Sequence, residues 1–176
     1  MLGPFENIQI EIQALPSLED VSFKPVEKTY LTVRLISLFI FWAIILVGYY
    51  LLTVVAGSDI PNLIQQIIPY VLLVMIIVTF VIAFFGVKRK GYALRDRDII
   101  YKKGLLWKSN TTVPFSRIQH CEVKQGPIAR LFNLAVLHIY TAGGSSSDLS
   151  IPGLLPDTAQ TMKSFVLQKI KSEEEV

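Results

Sequence analysis

Residues 35–56 read LISLFIFWAIILVGYYLLTVVA, 22 residues without a charge. As an α-helix this stretch is about 33 Å long, enough to cross a hydrocarbon core of about 30 Å. A second uncharged run, residues 60–87, has 28 residues and is densest from Ile67 to Val87. Both runs exceed the roughly 18 residues that mark a transmembrane helix. Only Gly57, Ser58 and Asp59 separate them, so the two helices form an antiparallel hairpin. Pro61 suits the first turn of the second helix, where a missing N–H costs nothing. Pro69 falls inside that helix and predicts a kink. Asn62, Gln65 and Gln66 share one face near its outer end. They read either as a polar contact between helices or as a face wetted by headgroups.

The whole chain agrees with this reading. It has 176 residues, 52% of them hydrophobic and 18% charged, and a mean hydropathy of +0.48. An ordinary soluble domain is nearer a quarter charged. Soluble globular and disordered classes are therefore excluded. A single Cys excludes a disulfide framework and a cysteine-rich metal site. A cleaved signal peptide does not fit, because the first 34 residues are polar and acidic. Lys24, Lys28 and Arg34 precede the first run, and Lys88, Arg89 and Lys90 follow the second. The short connection carries no Lys or Arg, so both termini are expected on the cytoplasmic side of the membrane, with the connection outside. Tyr30, Tyr49, Tyr50 and Tyr70 suit interface anchors.

Three segments follow: an N-terminal cytoplasmic arm (1–34), a transmembrane hairpin (35–87) and a cytoplasmic domain (88–176). In the arm, Ile8, Ile10 and Ile12 alternate with Gln9, Glu11 and Gln13, which reads as a short strand. It either adds to the edge of a sheet, in this chain or a neighbouring one, or remains a flexible tail. Pro16 and Pro25 interrupt the arm.

Residues 88–176 carry 14 basic and 8 acidic side chains. Short strands are expected over 91–95, 99–103, 105–108, 111–113, 119–125, 134–141 and 149–151. Arg95 to Asp98 and Ser109-Asn110 read as turns, and residues 128–132 as a helical turn. Cys121, Val123, Leu137 and Ile139 are expected to face inward. Asp157, with Gln160 three residues on, reads as the cap of a final helix. Ala159, Met162, Phe165, Val166 and Ile170 form its apolar stripe, with Phe165 and Val166 covering the sheet. The fold class is α+β: a two-helix transmembrane hairpin, then a PH-like β-barrel or sandwich capped by a C-terminal helix.

Arg117-Ile118-Gln119-His120, Gln125-Gly126-Pro127, Leu134-Ala135 and Thr141-Ala142-Gly143-Gly144 resemble the signature run of the bacterial PH-like domain family. Two helices followed by one such domain is similar to the YdbS-like membrane proteins. The resemblance covers roughly residues 31–170. It implies a PH-like fold, membrane residence and work beside a larger membrane protein carrying related domains. The family-motif residues are Arg117, Gln119, Gly126, Pro127 and Thr141. Gly126-Pro127 suits the end of one strand, and Gly143-Gly144 a sharp loop. Arg117 suits a structural ion pair first, with headgroup phosphate or a partner as alternatives.

No catalytic or nucleotide-binding motif is visible, so the expectation is a non-enzyme without cofactor. His120 and His138 lie on the outer face of neighbouring strands, too few for a metal site. Ser145 to Ser147 read as a solvated loop. Lys88, Arg89, Lys90, Arg95 and Arg97 are the candidate contacts with lipid and membrane surface, and Lys102 and Lys103 occupy the same region. Asp96 and Asp98 stand among the basic residues, which argues for a salt-bridged turn there. Nucleic acid is not expected as a partner, since no stacking-aromatic motif accompanies the charge. Membrane lipids are, together with a membrane protein carrying related PH-like domains or a second copy of the chain. The function expected is an interaction or scaffold module in an envelope complex. The alternative is binding of an anionic lipid headgroup or assistance to a transporter.

Overall fold

A computed structural model describes residues 21–56, 61–142 and 149–174. The Ile8–Ile12 strand, the Gly57–Asp59 connection, Gly143-Gly144 and the Ser145–Ser147 loop lie outside the described residues. The order is β1 (Lys24–Pro25), α1 (Thr29–Ala56), α2 (Asn62–Lys88), β2 (Gly91–Leu94), β3 (Asp98–Lys103), β4 (Ser109–Pro114), a 3-10 turn (Phe115–Arg117), β5 (Ile118–Lys124), α3 (Pro127–Leu131), β6 (Ala135–Thr141), β7 (Leu149–Leu154) and α4 (Pro156–Glu174). One antiparallel sheet runs β1-β2-β3-β4 and a second runs β5-β6-β7.

The two long helices present their apolar side chains outward. Of the most apolar 18-residue stretch in each, only 6% is buried within the protein. A core helix of a soluble protein would be mostly buried, so these two are built to face lipid. Polar atoms between them pair with each other, as a low-dielectric interior demands. Trp42 Nε1 donates to Thr79 Oγ1 at 3.0 Å, and Thr79 Oγ1 donates to the Met75 carbonyl at 2.9 Å. Pro69 lies inside α2 and has no N–H for the carbonyl of Gln65, four residues earlier. The Tyr49 hydroxyl donates to that carbonyl instead, at 3.0 Å.

The helix pair grows out of the first sheet. Residues 24–25 precede it and pair with β2, which follows it, with Pro25 opposite Gly91. Glu27 N–H donates to the Gly153 carbonyl of β7 at 2.8 Å. α1 therefore starts at Thr29 and not at Leu35. In its first turn Tyr30 lies against Gly153 of β7, while Thr29 and Thr32 stay exposed.

Three further expectations are corrected. Residues 105–108 are not a strand, and Ser109-Asn110 is not a turn. β3 and β4 pair from Asp98↔Pro114 to Lys103↔Ser109, and the chain reverses over Gly104–Lys108. Gly104 makes this possible: its φ is +106°, and a Cβ there would overlap the Trp107 carbonyl. Asp157 lies within the first turn of α4, where its charge complements the helix dipole, and is not its cap.

The core lies between the two sheets and α4. Leu137, Ile139 and Ile151 from the second sheet are fully buried, as are Ile99 and Phe115 from the other side. Cys121 is buried too, while Val123 and Phe165 are partly buried at the margin. Ala159, Met162 and Val166 turn inward from α4. Phe165 meets Phe115 edge-on, centroids 6.1 Å apart.

Candidate functional site

Lys88, Arg89 and Lys90 leave α2 where the chain enters β2. The register Gly91↔Lys102 sets Lys102 beside that exit, and the reversal after Gly104 brings back Lys108. Together these elements enclose an open cleft of about 380 Å³, bordered by Lys88, Arg89, Lys90, Lys102, Lys103 and Lys108. No carboxylate lines it among the described residues. Phe23 and Pro25 form one wall, and the Lys102 ammonium stands 5.3 Å from the Phe23 ring centre. The cleft lies at the level where the membrane helices emerge.

Its cations differ. Lys88 extends from α2 over the Phe84 ring, 4.0 Å from its centre. Lys90 is tucked against α1. Its ammonium donates to the Tyr30 hydroxyl at 3.4 Å and lies 5.0 Å from that ring's centre. Burial is the main cause of a lowered Lys90 pKa, reinforced by Arg34 and Lys103 nearby. Lys90 is thus a half-buried cation amid like charges, an arrangement that a bound anion relieves.

Lys88, Arg89 and Lys90 are brought together. Arg95 and Arg97 are not, because they occupy the β2–β3 turn at the other end of both strands, about 15 Å along the sheet. Arg95 is also committed to Asp98, with Nε–Oδ1 at 2.7 Å and Nη2–Oδ2 at 2.5 Å. That hydrogen-bonded pair holds its pKa up. The salt-bridged reading of this turn is the one the structure supports. Lys102 and Lys103 sit in the cleft, and Lys108, not singled out from the sequence, completes it.

The family-motif residues build turns elsewhere. Gly126 precedes α3 and Pro127 is its first residue. Gln125 Nε2 donates to the Leu134 carbonyl at 3.0 Å, closing the α3 excursion. Asn133, at φ 52°, lets Leu134 N–H reach the Ala129 carbonyl at 2.8 Å. Arg117 is exposed and forms no ion pair among the described residues. Its carbonyl accepts from Ala142 N–H at 3.2 Å. Gln119 is exposed at an irregularity of β5, and Thr141 pairs with Ile118.

On the outer face of the second sheet, His120 stacks on Tyr140, centroids 4.2 Å apart. His138 Nδ1 and Ser150 Oγ share a hydrogen bond of 2.8 Å. No three His, Cys, Asp or Glu side chains converge among the described residues. The Cys121 thiol is pushed up to about 11, mainly by burial.

A family model described as bacterial PH domain matches residues 26–170. The match starts where β1 ends, includes both membrane helices and stops within α4. The UPF0699 transmembrane protein YdbS of Bacillus subtilis (strain 168) is 30% identical over 95 residues, 54% of this chain. The match covers 58% of that protein's length. No solved structure matches. With the family match running through hairpin, sheets and closing helix alike, the chain belongs to the bacterial PH domain family.

Proposed function

We propose that this protein is a membrane-anchored PH-like module that holds anionic lipid headgroups at the cytoplasmic leaflet of a bacterial cell membrane, acting by binding and not by turnover. The observation that carries this reading is the cleft: six cations and, among the described residues, no facing carboxylate, beside the end of the second spanning helix. Each basic residue near an anionic leaflet contributes about 1 kcal/mol of attraction.

The test uses full-length protein reconstituted with mixed anionic and zwitterionic lipid, and native mass spectrometry of what stays bound. Combining Lys102→Gln, Lys103→Gln and Lys108→Gln leaves the topology-setting Lys88–Lys90 intact. The combination is expected to lower retained anionic lipid at least tenfold, with zwitterionic lipid unaffected. Equal retention would reject the reading.

A scaffold role is the second reading, with a membrane protein carrying related domains, or a second copy, as partner. It is favoured by the sheet ends: among the described residues, β4 closes one sheet and β7 the other. Such edges offer backbone groups to an added strand. Crosslinking in native membranes that recovers a stoichiometric protein would support it.

Both readings place the domain in the cytoplasm. A cysteine replacing Ser58 is expected to react with an impermeant thiol reagent in intact cells. One replacing Gln119 is expected to react only after permeabilisation. The opposite pattern would invert the topology.

A further inference from the structure

A second cavity of about 500 Å³ adjoins the basic cleft and shares Lys90, Lys103 and Gly104 with it. Below those residues its walls change character. Leu38 of α1, Ile82 and Gly86 of α2, and Leu105 and Trp107 of the β3–β4 turn line a mostly apolar groove. Thr79 marks its lower end, nine residues before Lys88 in α2, which is about 13 Å of helix. That depth is nearly half of a hydrocarbon core of about 30 Å. The Thr79 hydroxyl is already engaged with Trp42 and Met75, so the groove's open polarity lies at its top. Trp107, 84% exposed, stands over it at the depth where an indole favours the membrane interface. The feature is therefore two-part: cationic at the membrane surface, apolar downward between the helices.

We propose that cleft and groove form one site for one intact anionic phospholipid. Its phosphate sits among Lys90, Lys102 and Lys103, and an acyl chain runs down between Leu38 and Ile82 beneath Trp107. This rests on the headgroup reading above and adds that the ligand must carry a chain. A soluble phosphate ester would meet only the upper half. Charge complementarity selects the head, and continuity with the spanning helices selects a lipid over a protein segment.

Gly86 gives a clean test. A Cβ added there meets no atom within 4 Å, so the backbone accepts a side chain at this point of the groove wall, and Gly86→Leu is chosen to occupy the groove. Gly48, on α1 and equally open, serves as control. Full-length protein would be extracted in mild detergent, supplied with phosphatidylglycerol or with glycerol 3-phosphate, and examined by native mass spectrometry. Wild type is expected to retain one phosphatidylglycerol and no glycerol 3-phosphate. Gly86→Leu and Trp107→Ala are each expected to lower that retention at least fivefold, and Gly48→Leu to leave it unchanged. Continued protection of Cys121 from alkylation shows that each variant is folded.

If the triple Lys-to-Gln variant loses the lipid but Gly86→Leu and Trp107→Ala keep it, the headgroup reading stands and the chain site is refuted. If none of them changes retention, both fail. If glycerol 3-phosphate is retained as well as the lipid, the requirement for a chain is refuted. Loss with Gly86→Leu but not with the triple variant refutes the joint site by removing its headgroup half.

Discussion

Leu137→Ala is expected to destabilise the cytoplasmic domain by about 2–5 kcal/mol, the range for truncating a buried Leu. Leu137 is fully buried on β6, the middle strand of the second sheet. Its register partners are Val123 on β5 and Ile151 on β7. With neighbours on both sides and α4 against the sheet, the walls have little room to collapse. The loss is large against a total stability of about 5–15 kcal/mol. Cys121 supplies the readout within the full chain. It is the sole cysteine, buried, with its thiol held up at about 11, so it alkylates slowly until the domain opens. The denaturant midpoint for its labelling should fall markedly in Leu137→Ala. It should move little in Leu131→Ala, whose side chain is 83% exposed, in line with the roughly 0.5 kcal/mol of surface changes. Equal midpoints for both variants would mean that Leu137 does not carry the core.

The apolar runs made the hairpin legible, and alternation made the inward set of β5 and β6 legible. Boundaries at the membrane surface were less so. Arg34 ends the uncharged run, yet α1 begins at Thr29 because its first turn packs on β7, a tertiary contact that hydropathy does not encode. Leu105 to Lys108 looks like a strand because it is apolar. Its apolarity instead belongs to a turn: Leu106 and Trp107 are 72% and 84% exposed, and Trp107 stands over the groove between the helices. Hydrophobicity alone does not distinguish burial in protein from contact with lipid. Conversely, polar Ser109 and Asn110 are in a strand because β4 is an edge, with alternate side chains free to meet water.

The cationic site was half legible. Lys88 to Lys90 follow directly from the end of an apolar span. Their companions depend on strand register and on the reversal at Gly104, which returns Lys108 to the same cleft. Arg95 and Arg97 are near Lys90 in sequence but lie at the far end of the sheet. The Asp residues interleaved with them were the available signal, and Arg95 is indeed paired with Asp98.

Gly153→Ala is expected to loosen the joint between domain and hairpin, and with it the cleft. Gly153 has φ +71°, and a Cβ there would lie 2.7 Å from Tyr30 Cγ. The strained backbone alone costs about 1–3 kcal/mol, and the Tyr30 ring must also move. That ring supports Lys90, whose ammonium lies 5.0 Å from its centre and bonds its hydroxyl. Displacing it therefore disturbs the deepest cation of the cleft from a position outside the cleft. Retention of anionic lipid should fall several-fold, while membrane insertion, set by the apolar spans, is unchanged. Gly126→Ala is the matched control: its φ is −71°, no atom lies within 4 Å of the added Cβ, and both properties should stay as in wild type. Adding Tyr30→Ala to Gly153→Ala removes the ring's part of the steric conflict, leaving the residue-30 Cβ 2.8 Å from the added one, and it also removes the support for Lys90. The double variant should regain part of its stability, measured by Cys121 labelling, without regaining lipid. Full recovery of lipid in the double variant would show that Tyr30 does not position Lys90. Wild-type stability and retention in Gly153→Ala would show that β7 and α1 are not held together at this point.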